Sequence, residues 1–168
     1  ETEICMYTHK FYGHKDSPLI GKWKYKGIES LKDIKLSGTK GWSYSSIEVT
    51  RYVNEQSEPR VYAMYGEDLP ERHTKMLLRK RTDLYVENEF MMTYFLYNEK
   101  KSGNADADKI VVVDSVPIDE GTSESYPVFY KDKNGQAYAA IFTDGIKELR
   151  ATGKMADIMA DYGLKDWK

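Results

Sequence analysis

The sequence predicts an α/β fold, a mostly parallel β-sheet with flanking helices, followed by two C-terminal helices. Three observations predict it. Between about residues 34 and 114, short β-branched or apolar runs alternate with stretches that repeat apolar residues at helical spacing. Those helical stretches open on capping signals. Two further helical patterns follow a polar break after the last such run. Alternation of this kind places helices on the faces of a sheet built from βαβ units.

Each element follows in order. Residues 4–8 are a short strand-like apolar run, and residues 9–28, with Gly13, Pro18, Gly21 and Gly27 spread through them, read as an irregular or weakly paired crossing. Residues 28–31 read as one helical turn. Residues 34–39 read as a strand and residues 41–44 as a turn. Ser45 and Glu48 form a capping-box pattern for a helix over residues 46–56. Pro59 breaks that helix, and residues 60–65 read as a second strand. Asp68 and Glu71 give another box, with Pro70 in the first turn, where its missing N–H costs nothing. Leu69, His73, Met76 and Leu77 then share one helical face. Residues 82–87 are a third strand, with Asp83 structural at its start. Asn88 is placed to cap a helix through about residue 98, whose broad apolar face carries Phe90, Met91, Tyr94, Phe95 and Tyr97.

Residues 101–108 are polar and read as a loop, and residues 109–114 as a β-branched strand. A second loop covers 119–125, and residues 127–131 read as a strand. Asn134-Gly135 turns the chain into a long helix with Tyr138, Ile141, Phe142 and Leu149 on one side, ended by Gly153. A last short helix carries Met155, Ile158, Met159 and Tyr162 and closes at Gly163.

Composition narrows the function classes. With 40% hydrophobic and 31% charged residues in 168, the balance is that of a globular domain rather than a disordered chain. A formal net charge of −2 offers no basic footprint for nucleic acid, and Arg79-Lys80-Arg81 reads as a solvated helix end. No apolar run approaches the ~20 residues of a membrane helix. The single Cys5 has no intramolecular partner for a disulfide. His9, His14 and Asp16 lack a metal-ligand spacing on any regular element. His73 reads as a packed interfacial histidine and the methionines as core filler. No nucleophile elbow, phosphate loop or dinucleotide fingerprint is present.

Five stretches carry a resemblance. They are Ser30-Leu31-Lys32-Asp33, Lys40-Gly41-Trp42-Ser43-Tyr44, residues 81–89 (Arg-Thr-Asp-Leu-Tyr-Val-Glu-Asn-Glu), residues 142–154, and Asp161-Tyr162-Gly163-Leu164-Lys165-Asp166-Trp167. In order and spacing across roughly residues 28–167 the chain resembles the family-3 extracellular solute-binding proteins of amino-acid ABC transporters, with a type II periplasmic-binding fold. The resemblance covers the second lobe, its hinge strands and the terminal helices. Residues matching most of the N-terminal first lobe, including its carboxylate-clamping Arg, are not in this sequence. It implies two parts: residues 1–130 as second lobe with hinge strands, and residues 131–168 as C-terminal helices that pack on the first lobe in the family.

Open α/β sheets bind ligands at the carboxyl ends of their strands. Two loops qualify. In the first, Gly41 permits close backbone approach, and the N-terminus of the following helix suits an anion. Ser43 matches a Thr or Ser position of the family and offers a hydroxyl, while Trp42 and Tyr44 offer an aromatic wall. The alternative is a helix cap with two packed aromatics. In the second, the family commonly has an Asp at the position of Asn88, facing the ligand's ammonium. Asn adds no charge there, and Glu87 or Glu89 is the remaining acidic candidate. The alternative for Asn88 is an N-cap alone.

The functional expectation is a solute-binding protein or truncated lobe for a small polar solute, an amino acid or carboxylate, and not an enzyme. The resemblance implies a membrane permease as partner, a periplasmic or extracellular location and no cofactor. A second expectation is an interaction module or homodimer that uses the uncovered terminal helices.

Overall fold

Residues 5–6, 8–121 and 124–167 are described by the computed structural model. The chain divides into two units, one of Tyr7–Ser123 and one of Glu1–Met6 with Glu124–Lys168.

The first unit is built on a five-stranded sheet. Its strands are β2 (His9–His14), β3 (Leu36–Thr39), β4 (Val61–Met64), β5 (Leu84–Asn88) and β6 (Ile110–Ser115), in spatial order β4-β3-β5-β2-β6. β3 pairs parallel with β4 and β5, and β2 pairs antiparallel with β5 and β6. Only β2 therefore runs against the other four. Helices α1 (Ile47–Glu55), α2 (Leu69–Leu78) and α3 (Glu89–Lys101) connect the strands.

Alternation along the strands separates two cores. Phe11, Leu84 and Val86 face one side, where Val49, Tyr52 and Val53 of α1 join Leu31, Leu36 and Val61. Tyr12 and Tyr85 face the other, against Leu77 of α2 and Met92 of α3. Fully burying a side chain such as Phe11 or Leu84 contributes about 1.5–3 kcal/mol. Helices thus cover both faces, as the alternating pattern predicts.

The segment expected to be an irregular crossing contains β2 instead. His-Lys-Phe-Tyr-Gly-His hides its strand character because both faces are covered, so no polar/apolar alternation remains to be read. Gly13 is required by packing, since a Cβ there would meet Val113 Cγ2 at 2.8 Å. Both capping boxes also fail. Ser46 rather than Ser45 is the N-cap of α1, without a side-chain cap bond. Asp68 caps α2 from a left-handed conformation, φ 54°, again without a side-chain bond, and Glu71 pairs with Lys75 at 2.5 Å. The cap of α3 does form: Asn88 Oδ1 accepts from the Met91 N–H at 3.1 Å. On α3 only Met92 is buried, and Met91 and Tyr94 are exposed rather than forming a core face.

The second unit pairs β1 (Cys5–Met6) antiparallel with β7 (Glu124–Ser125). Residues 4 and 7 of the expected first strand lie outside the described residues. Residues 127–131, expected as a strand, carry no regular structure. Helix α4 (Lys133–Ala151) begins before Asn134-Gly135, because Asp132 accepts from the Gly135 N–H at 2.7 Å and sets the start earlier. Its Tyr138 and Ile141 are exposed. Gly153, φ 78°, ends it and leads into α5 (Lys154–Asp161). Arg150 grips Asp166 through two bonds of 2.8 and 3.1 Å and lies 4.9 Å from the Trp167 ring. No described helix is long and apolar enough to cross a membrane.

Candidate functional site

The carboxyl ends of β3 and β5 lie side by side, because those strands pair directly. Residues 40–46 leave β3 and lead into α1, and β5 ends in Asn88 at the start of α3.

Side-chain anchors fix the first segment. Asn54 of α1 accepts from the Gly41 N–H at 2.6 Å and donates to the Trp42 carbonyl at 2.9 Å. Thr50 Oγ1 accepts from the Tyr44 N–H at 2.8 Å. The Ser45 N–H donates to His9 Nδ1 at 3.0 Å. Gly41, with φ 81° and nothing near its absent Cβ, makes the turn that starts the segment. Trp42 is partly exposed against the core, and Ser43 is exposed.

Tyr44 lies in the core. Its hydroxyl accepts from the Thr39 N–H at 2.8 Å and donates to the Thr39 carbonyl at 3.1 Å. Burial pushes its pKa well up, with the Glu87 charge adding to the effect. Of the two aromatics, only Trp42 is thus accessible to solvent.

The N-terminus of α1 already holds an anion from the chain. Asp119 Oδ2 accepts from the Ile47 N–H at 2.6 Å, and the Asp119 N–H donates to the Ser45 carbonyl at 2.8 Å. A local Ser-x-x-Glu box loses to this distant carboxylate, which is itself favoured at a helix N-terminus.

At the end of β5, Glu87 is 1% exposed. It accepts from the Tyr85 hydroxyl, and from the Asn88 N–H at 2.7 Å. Burial raises its pKa, and the two hydrogen bonds oppose that shift. Asn88 is 4% exposed, and its Nδ2 meets no acceptor among the described residues. Glu89 accepts from Thr8 Oγ1 at 2.6 Å and pairs with Lys10 at 3.4 Å.

His9 is the residue that sequence reasoning misplaced. Grouped with His14 and Asp16 it suggests nothing, whereas in the sheet it stands directly opposite Asn88. Burial lowers its pKa to about 4, in keeping with an Nδ1 that must stay unprotonated to accept from Ser45. A separation of 36 residues leaves no local signal for that bond. His14 serves its own turn, accepting from the Asp16 N–H at 3.2 Å. His73 is fully buried and stacked on Tyr85, with ring centroids 4.4 Å apart. No group of three or more His, Cys, Asp or Glu among the described residues is arranged to hold a metal ion.

No family model and no curated protein matches the sequence. Solved structures do match. The unliganded, open L-cystine solute receptor of Neisseria gonorrhoeae aligns at TM-score 0.59 with 21% identity, over 98% of this chain and 59% of its own. A histidine kinase sensor domain with similarity to periplasmic binding proteins aligns at 0.56 and 17%, over 98% and 63%. The arginine-, lysine-, histidine-binding protein ArtJ of Geobacillus stearothermophilus aligns at 0.53 and 16%, over 98% and 62%. The chain therefore spans about three fifths of the length of the structures it matches. With a five-stranded mixed sheet covered on both faces, and with these neighbours, the chain has a periplasmic-binding-protein-like fold.

Proposed function

We propose that this chain is the solute-binding lobe of a transport receptor for a small polar solute, an amino acid or carboxylate, and that it does no chemistry. One observation carries the reading. At the carboxyl ends of β3 and β5, a tied-down loop follows one strand and the neighbouring strand ends in a buried Asn88, whose Nδ2 has no acceptor among the described residues. A donor so placed costs about 1–3 kcal/mol until something accepts from it, and strand ends of an α/β sheet are where solutes are held. The neighbouring L-cystine receptor and ArtJ, both named for amino-acid solutes, support the class.

In this reading residues 1–130 form the ligand-bearing lobe with its hinge strands. Residues 131–168 supply the helices that pack on the complementary lobe. Ser43, through its exposed hydroxyl, holds an anionic group, Trp42 packs beside the solute body, and Asn88, oriented by Glu87 through its backbone N–H, contacts a polar end. A membrane permease reads the loaded receptor, in the periplasm or outside the cell. The test is titration calorimetry with any solute that binds. Ser43→Ala and Asn88→Ala should each weaken binding about tenfold, the loss of one hydrogen bond, with the fold intact by circular dichroism. Unchanged affinity in both removes these residues from the site.

A specific surface favours a second reading, a homodimer. Val128, Tyr130 and Ile141 are 94%, 85% and 68% exposed, beside a groove of about 670 Å³ lined by Phe129 and Phe142. Apolar exposure on this scale promotes association. Light scattering at micromolar protein decides it: a dimer supports this reading and a monomer counts against it.

A further inference from the structure

A cavity of about 530 Å³ lies against the end strand of the sheet, β4. Its walls include Tyr62 and Met64 of β4, Met76 of α2, and three charged residues, Lys35, Glu58 and Arg81. The fold leaves this space open. β4 has a single neighbour, β3, and α2 packs chiefly on β2, β3, β5 and β6. Val61 and Ala63 turn to the core shared with α1, so Tyr62 and Met64 face the other way, toward α2. Both are half-buried, as is Met76.

The charges are not matched within the cavity. Lys35 stands just before β3 and Arg81 shortly before β5, both exposed. Their hydrogen bonds run through the backbone. The Lys35 N–H donates to Asp83 Oδ2 at 2.8 Å, and the Arg81 N–H donates to the Met76 carbonyl at 2.9 Å. Neither side chain has an ion-pair partner among the described residues, and Glu58 has none either. Two cations against one carboxylate leave the cavity with surplus positive charge. A guanidinium and an ammonium lining one cavity suit a carboxylate, the first as a fork and the second as a point charge. Two thioethers and a phenol ring form a polarizable, apolar bed that favours an aromatic body.

We propose that this cavity is a second ligand site, for a small aromatic carboxylic acid held at its carboxylate by Lys35 and Arg81 and at its ring by Tyr62, Met64 and Met76. Its volume is within the range of small-molecule sites. The two cations stand at the amino ends of β3 and β5, the opposite ends from residues 40–46 and Asn88. The site is therefore separate from the one proposed above and does not depend on the solute-binding reading.

The experiment titrates the full chain, labelled with ¹⁵N and with ¹³C at the methionine methyls, with phenylacetate, 3-phenylpropionate and indole-3-acetate. Phenylacetamide and acetate are the controls, the first lacking the charge and the second the ring. Loss of one signal each in Met64→Leu and Met76→Leu assigns two methyl probes. The expected result is saturable binding of at least one aromatic acid with a Kd of about 1 mM or tighter. Ring-current shifts of the Met64 and Met76 methyls should accompany it, with amide shifts at residues 62–64 and 76–81. Both controls should bind about tenfold more weakly or worse. Arg81→Gln and Lys35→Gln keep the two backbone bonds, and each should weaken the acid about threefold or more with the rest of the amide spectrum unchanged. Phenylacetamide binding as tightly as phenylacetate overturns the proposal. Shifts confined to residues 40–46 and 88 also overturn it, and assign the acid to the solute site instead. No saturation by any of the three acids up to ~10 mM overturns it too, and leaves the solute-binding reading untouched.

Discussion

His73→Phe probes the buried polar interior behind the strand ends. His73 is fully buried, stacked on Tyr85 at 19°, and neither ring nitrogen finds a partner among the described residues. Burial, with a smaller push from the Arg72 charge, lowers its pKa from 6.5 to about 3. Because the native pKa lies below the unfolded one, the unfolded chain takes up the proton first as pH falls. Stability is thus unaffected well above pH 6.5 and is lost as pH drops from 6.5 toward 3. By linkage the loss attributable to His73 between pH 7.5 and pH 5 is about 2 kcal/mol. Phenylalanine keeps the stacking and removes the titration. Its larger ring changes packing, but that change is the same at both pH values and cancels in the difference. Glu87 and His9 remain in both proteins. Urea unfolding at pH 7.5 and pH 5 should show wild type losing about 2 kcal/mol more than the variant over that interval. Equal losses in the two proteins would refute the reasoning and place a proton acceptor or water at the ring.

Other substitutions test separate parts of the account. Asp119→Ala removes the carboxylate at the Ile47 N–H and should cost about 1 kcal/mol, while speeding hydrogen exchange at residues 45–49; unchanged exchange there would mean that Asp119 does not cap α1. Gly38→Ala drives a Cβ to 2.8 Å from the Tyr44 hydroxyl and 2.9 Å from Val53 Cγ1. A loss of about 1–3 kcal/mol is expected in urea melts, and a neutral result would contradict the packing beneath the 40–46 segment. Asp166→Asn breaks a two-point ion pair with Arg150, partners that are 14% and 20% exposed. Faster amide exchange at residues 164–167 is expected, and no change would show that the pair does not hold the terminal segment.

The strongly periodic parts of the fold were legible in the sequence. Helical spacing placed α2, a capping-box pattern placed α1 although the box itself does not form, the β-branched run at residues 109–114 placed β6, and Asn88 announced the cap of α3. What failed failed for long-range reasons. β2 shows no alternation because Phe11 and Tyr12 are buried on opposite faces, and its edges are satisfied by β5 and β6, more than 70 residues away in sequence. Ser45 and Glu48 spell a capping box, but Asp119 reaches the helix first. Tyr44 reads either as one wall of a site or as a packed aromatic, and the absent Cβ of Gly38 makes room for its buried hydroxyl. In the site, Asn88 was legible as a residue type, while its partner His9 emerged only once β2 and β5 were paired.

The most direct test of the central claim is a thermal-shift screen of the intact chain against amino acids, 2-oxo acids, 2-hydroxy acids and small dicarboxylates at millimolar concentration. A ligand that binds only the folded state stabilises it by about 2.7 kcal/mol at a hundredfold excess over Kd. The account predicts a selective rise in Tm for one chemically related group of solutes, lost in Asn88→Ala. A flat response from well-folded protein, or a rise that Asn88→Ala leaves untouched, would contradict a solute site at the ends of β3 and β5.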